Sequence, residues 1–286
     1  MRGDKRSREL FRDTSGGRVD RDILEPILDD AVATALVSGQ AIERAIKQGL
    51  PRSVAECAYG SSQKAFGKLL AEGLLPQFCD DPRNQVDVSG FRGSADQLSE
   101  EDARYFLLAW YSDLVTHKGG GRYGAARSAV AEMFFWHGPK AAQPRTFTLW
   151  LEPLITIGAL ARLHYDHGWP ASQIGTQSTD WAFDVVAYRS GQSTEFIACE
   201  VKKTVSEVDQ LICLMEVFGR EATSPEPASG KARNAFKKMV ALRKRQTPLF
   251  WALGPTGYSK VYKVSYEDDG VVDLAEVSER FLDFPG

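Results

Sequence analysis

The chain has 286 residues, 43% of them hydrophobic and 26% charged, enough for one large domain or two modest ones with a buried core. A net charge of −3 excludes a uniformly basic nucleic-acid binder, so any phosphate-attracting surface has to be local. Residues 1–20 are polar and lack the apolar core of a secretory signal, and the uncharged run Leu154–Ala161 is too short to cross a bilayer. A cytoplasmic protein without membrane association is expected. Cys57, Cys79, Cys199 and Cys213 show no C-x-x-C spacing, and Cys199 and Cys213 fall in apolar patterns. They read as buried thiols in a reducing compartment, not as a zinc site or disulfide framework.

In chain order, residues 1–20 are expected to be disordered or loosely attached. Ile23, Leu24, Ile27, Leu28, Ala31, Val32, Ala35 and Leu36 recur at helical spacing and predict an amphipathic helix over 21–37. Further helices are expected at 39–48, 52–58, 61–74, 100–116 and 122–136. No strand-like alternation precedes residue 145, so 21–145 reads as an all-helical domain. After Pro144 the pattern changes to an α/β domain over 146–286 with a mixed central sheet flanked by helices. A strongly apolar helix runs from Leu149 to Tyr165, with Thr148 as cap and Pro153 near its first turn. Strands follow at 172–177, 182–189 and 195–202. Next come a helix at 205–218 with Val208, Leu211, Ile212, Met215 and Val217 inward, a Pro/Gly/Ser loop over 221–230, and a basic helix at 231–245. Strands at 248–253 and 260–266 and a helix at 273–282 complete the chain.

Two apolar strands, one starting at Asp184 and one ending in Glu200-Val201-Lys202, form a hairpin with an unusual charge pattern. Side chains alternate along a strand, so directly opposed residues share a face. If the turn centres on Gln192, Asp184 lies opposite Glu200, and Lys202, two residues on, joins them. A two-residue turn at Gly191-Gln192 would instead place the acids on opposite faces. Two carboxylates on one face suit Mg²⁺ or Mn²⁺, hard cations that prefer oxygen ligands, with the Val201 carbonyl as a third donor. Such an ion lowers the pKa of a bound water and neutralises charge on a phosphate. Lys202 would then orient the attacking water or stabilise the pentavalent transition state. The rival reading makes Asp184, Glu200 and Lys202 ordinary strand-edge charges. Asp180 competes with Asp184 as the first acid.

The segment from 149 to roughly 266 resembles the PD-(D/E)xK, or restriction-endonuclease-like, nuclease superfamily. Asp184 matches the first acid and Glu200-Val201-Lys202 the E-x-K, while Phe183 stands where the pattern often has proline. The resemblance implies that Glu152, on the helix before the sheet, completes the metal site. Gln210 matches the first letter of the Q-x-x-x-Y of some exonuclease branches, but Leu214 replaces its tyrosine. The implied function is a divalent-metal-dependent nuclease, a DNA endonuclease of restriction, repair or defence type, with RNA as an alternative substrate and a homodimer as the assembly. A catalytically inactive relative that binds nucleic acid or a protein partner is the alternative.

Lys231, Arg233, Lys237, Lys238, Arg243 and Lys244 make the 231–245 helix a candidate nucleic-acid-binding face, with Phe236, Met239, Val240 and Leu242 packing inward. Leu50 to Leu75 reads as a helical pair, with a DNA-binding helix-turn-helix as the rival. The basic, glycine-rich Lys118–Gly124 lacks the G-K-[ST] of a nucleotide-binding loop and is expected to link two helices. His164 and His167 read as helix-end groups, not ligands. Trp136, Trp150, Trp169, Trp181 and Trp251 are expected to pack in the core or at its rim.

Overall fold

The computed structural model describes Lys47 and residues 61–140, 142–221 and 224–286. The expectations for 1–20, 21–37, 39–48 (Lys47 apart) and 52–58, and for the first half of the helical pair, lie outside the described residues. The chain divides into two compact units. The first ends at Tyr123 and resumes over Glu132–Gly168, and the second comprises Gly124–Ala131 and Trp169–Gly286.

In the first unit, α1 (Ser62–Leu69) runs through a π-helical turn, Leu70–Leu74, into α2 (Leu75–Asp80). Its start is held twice: the Ser61 hydroxyl accepts from Lys64 N–H at 3.3 Å, and the Glu100 carboxylate accepts from Gln63 N–H at 2.9 Å. The helix α3 (Glu100–Tyr111) opens with Ser99 capping Asp102 N–H at 3.0 Å and with three acids in its first turn, where the helix dipole favours them. Helix α3 packs on α4 (Leu151–Ala161), where a Cβ on Gly158 would approach Tyr105 Cβ to 3.3 Å. The Leu149–Tyr165 expectation therefore holds in kind, but the start is Leu151, after Trp150 and without a side-chain cap.

The all-helical reading fails here. Strands β1 (Thr116–Gly119), β2 (Arg122–Gly124), β3 (Glu132–Met133), β4 (Phe135–His137) and β5 (Phe147–Leu149) lie where helix or loop was expected. Gly119, Gly120 and Gly121 all adopt positive φ and turn the chain between β1 and β2, so this loop joins strands and not helices. Asp81 accepts from Gly120 N–H at 2.8 Å and pins the turn. The apolar spacing of 122–136 arises because Tyr123 of β2 and Phe134, in the link between β3 and β4, stack on each other with centroids 4.5 Å apart.

The second unit is a six-stranded mixed sheet of β6 (Ile174–Thr176), β7 (Val185–Ala187), β8 (Ile197–Val201), β9 (Leu249–Leu253), β10 (Ser259–Tyr266) and β11 (Val272–Val277). The order is β11-β10-β9-β8-β7-β6. All neighbours are antiparallel except β8 and β9, which run parallel and are joined through α5 (Val205–Arg220) and α6 (Gly230–Arg245). Every residue of β8 and β9 is buried, as their continuous apolar runs require for a central parallel pair. The segment Gly124–Ala131 lies along β6, with Arg127 and Ala129 N–H donating to the Ile174 and Thr176 carbonyls at 3.1 Å each.

The expected C-terminal helix is instead β11 plus a 3₁₀ turn. Val272 and Leu274 alternate inward opposite Tyr266 and Val264, a period of two that the helical reading overlooked. One side of the sheet is covered by α5 and α6, and Val186, Tyr188, Ala198, Phe250, Ala252, Tyr262 and Val264 pack there against Val208, Leu211, Ile212, Met215, Met239 and Leu242. Burying each large side chain contributes roughly 2 kcal/mol. Two residues expected inward, Val217 on α5 and Val240 on α6, are exposed, as is Cys213. Among the described residues no helix is long and apolar enough to cross a membrane.

Candidate active site

The β7–β8 register decides the geometry of the hairpin. Val185 pairs with Cys199, Val186 with Ala198 and Ala187 with Ile197, so one step further Asp184 stands opposite Glu200. Asp184 N–H donates to the Cys199 carbonyl at 2.9 Å, and the Asp184 carboxylate accepts from Val201 N–H at 2.8 Å. Both acids continue the row of Val186 and Tyr188 on β7 and of Ala198 on β8, which faces α5 and α6. The turn therefore centres as the same-face alternative requires.

Lys202 Nζ donates to Glu200 Oε1 at 2.5 Å and to the Val201 carbonyl at 2.8 Å. The second Glu200 oxygen is taken by Lys238, which arrives from α6 and also donates to the Ala182 carbonyl at 2.7 Å. Glu200 is only 3% exposed and the Lys238 side chain 5%. Burial pushes Glu200 toward neutrality, but Lys238 and Lys202 together more than offset this and hold its pKa low. Asp184 behaves oppositely. Burial, and then the charge of Glu200, push its pKa up to about 8, against smaller downward pulls from Lys238, Lys202 and Val201 N–H. The pair thus divides into one firmly ionised carboxylate and one that resists ionisation.

The sequence places Lys238 on a nucleic-acid face, whereas the structure buries it in the acid cluster. The signal was available, because Ala235, Lys238, Met239 and Leu242 share helical spacing along the buried side of α6. A lysine in such a row needs an anion. Arg243 also leaves the outer face: its guanidinium donates to the carbonyls of Phe218 at 2.5 Å, Gly219 at 3.2 Å and Gly270 at 2.8 Å. Arg233, Lys237, Val240 and Lys244 remain as an exposed stripe, Arg233 pairing with Glu226 at 2.7 Å, and Lys231 donates to Gln210 at 2.7 Å.

The loop entering β7 is built around Ser178, whose buried hydroxyl accepts from Ala182 N–H at 2.9 Å and Phe183 N–H at 3.1 Å. The rival acid Asp180 accepts from Ser178 and is paired with Arg245, which also reaches Glu195 at 3.2 Å. Asp180 is thus engaged in holding this loop, while Asp184 faces Glu200. Glu152 lies in the first turn of α4, in the first unit, whereas the cluster is assembled from residues of the second. Trp181 contradicts its expected packing role: it is 69% exposed, at a φ of 62°. For a bulky side chain this left-handed conformation costs roughly 1–2 kcal/mol.

Among the described residues no group of three or more His, Cys, Asp and Glu side chains comes together. The donors that do converge are the carboxylates of Asp184 and Glu200 beside the Val201 carbonyl, all hard oxygens, a set that fits Mg²⁺ or Mn²⁺ retaining several waters. An ion bound by these oxygens would have to compete with Lys202 and Lys238, which already occupy both Glu200 oxygens. No protein-family model, curated protein or solved structure matches this chain.

Proposed function

We propose that the protein is a divalent-metal-dependent phosphodiester hydrolase acting on nucleic acid, of the restriction-endonuclease-like kind, with DNA as substrate. The observation that carries this reading is the register pairing of Asp184 with Glu200, with the Lys202 ammonium on the same side of the strand ends. A magnesium or manganese ion held by Asp184, Glu200 and the Val201 carbonyl would supply charge neutralisation at the phosphate and a more acidic water. Lys202 provides a positive donor that can shift from Glu200 to a phosphate oxygen or a water. Lys238 holds Glu200 in place from α6. The exposed Lys237 and Lys244 give the helix a local basic face on a molecule of net negative charge.

The test is incubation of plasmid and single-stranded DNA with Mg²⁺ or Mn²⁺, comparing the native chain with Lys202→Ala and Glu200→Gln. Cleavage by the native chain should fall by about 10²–10³-fold or more in each variant. Cleavage that persists in both overturns the assigned roles. One observation favours a second reading, a nucleic-acid-binding protein that does not cut: both Glu200 oxygens are occupied by ammonium groups. That reading predicts DNA binding without hydrolysis under either cation.

A further inference from the structure

The chain has six tryptophans. Trp110, Trp136, Trp150 and Trp169 each contact another aromatic ring, and Trp251 is buried with its indole N–H on Ser259 at 2.8 Å. Trp181 differs: among the described residues its indole has no ring or cation partner, and it is 69% exposed. Its backbone is in the left-handed region, where glycine or asparagine would serve the turn without strain. The left-handed backbone costs the folded state, and the exposed ring gains nothing from packing to offset it. A ligand that covers the ring would supply the burial that the fold does not.

The loop that presents this ring is fixed. Trp181 N–H donates to the Ser178 carbonyl at 2.9 Å, the Ser178 hydroxyl holds the next two N–H groups, and Arg245 holds Asp180. Lys238 bonds both the Ala182 carbonyl and Glu200, tying the loop directly to the acid pair. Trp181 precedes Asp184 by three residues, a Cα separation of at most about 10 Å. On α6, Lys238 and Arg245 grip the loop, and the exposed Lys237 and Lys244 each lie one residue before them. An exposed aromatic plane on a fixed loop, a few residues from a phosphodiester site and next to a helix with a local basic face, is an arrangement that suits unpaired strands, because a base in a duplex is already stacked.

We propose that Trp181 is a stacking platform for an unpaired base next to the scissile phosphate, which makes the substrate single-stranded or locally opened nucleic acid. The proposal rests on the nuclease reading for the identity of the ligand, and its test separates the two. Fluorescence anisotropy of a labelled single-stranded oligonucleotide, and of its duplex, is measured with the full chain in the absence of divalent cation for native protein, Trp181→Ala and Trp181→Phe. Trp181→Ala should weaken single-strand binding by about tenfold or more while duplex binding and the thermal midpoint stay unchanged, and Trp181→Phe should restore most of the loss. Equal single-strand binding by native and Trp181→Ala proteins overturns the platform, as does loss of single-strand and duplex binding alike, or no binding by the native chain. Cleavage is scored separately. A platform-dependent binder that cuts nothing with Mg²⁺ or Mn²⁺ defeats the nuclease reading alone. A nuclease indifferent to Trp181 defeats the platform alone.

Discussion

Glu200 and Asp209 are both acids with two donors each, yet they do different things. Asp209, on the outer side of α5, accepts from Tyr258 at 2.6 Å and Lys260 at 3.0 Å with about half its side chain in water. Its ionisation is favoured chiefly by those hydrogen bonds, and solvent can replace either partner. Glu200 accepts from two ammonium groups with almost no access to water. There every charge depends on the others, and removing one leaves the rest stranded. Burial, not the number of partners, turns an ordinary ion pair into a site with chemical potential.

The largest expected effect that would break this contrast is at Glu200. Glu200→Gln leaves Lys202 and the buried Lys238 without their anion and should lower the unfolding free energy by about 3–5 kcal/mol in urea titrations. A change well under 1 kcal/mol would show that the cluster is not electrostatically coupled. Lys238→Met should also destabilise, but here Mn²⁺ should restore part of the lost thermal midpoint, because the acids remain and the cation supplies the missing charge. Glu200→Gln should show no such rescue, so equal responses in the two variants would contradict the account. A smaller effect is expected on the outside of α6. Changing Lys237 and Lys244 together to Gln should reduce the slope of log affinity for DNA against log salt by about 2 and leave stability unaltered. Asp209→Asn should be smallest, with no measurable shift in the unfolding midpoint.

The α/β character of the C-terminal half was legible because its strands are short apolar runs bounded by turn residues, as in Val185–Ala187 and Ile197–Val201. The pairing of Asp184 with Glu200 is one of two registers the sequence leaves open, and the observed strand pairing selects it over a two-residue turn at Gly191-Gln192. What could not be read locally was decided by tertiary partners. The 122–136 stretch has helix-compatible spacing, but the β6 backbone takes the N–H groups of Arg127 and Ala129. Val272–Val277 was read at the wrong period because its polar residues are equally compatible with a helix surface. Lys238 was counted as a surface charge by composition, although its position in the buried row of α6 required an anion. Trp181 was counted as packing because sequence alone does not disclose a left-handed backbone at a non-glycine residue.

Calorimetric titration of Mn²⁺ into the native chain and into Asp184→Asn measures directly whether the two opposed carboxylates take up a divalent ion together. One site in the native protein, weakened at least about tenfold in the variant, is the predicted result. A native chain that binds no Mn²⁺, or one whose binding is unchanged by Asp184→Asn, would contradict it.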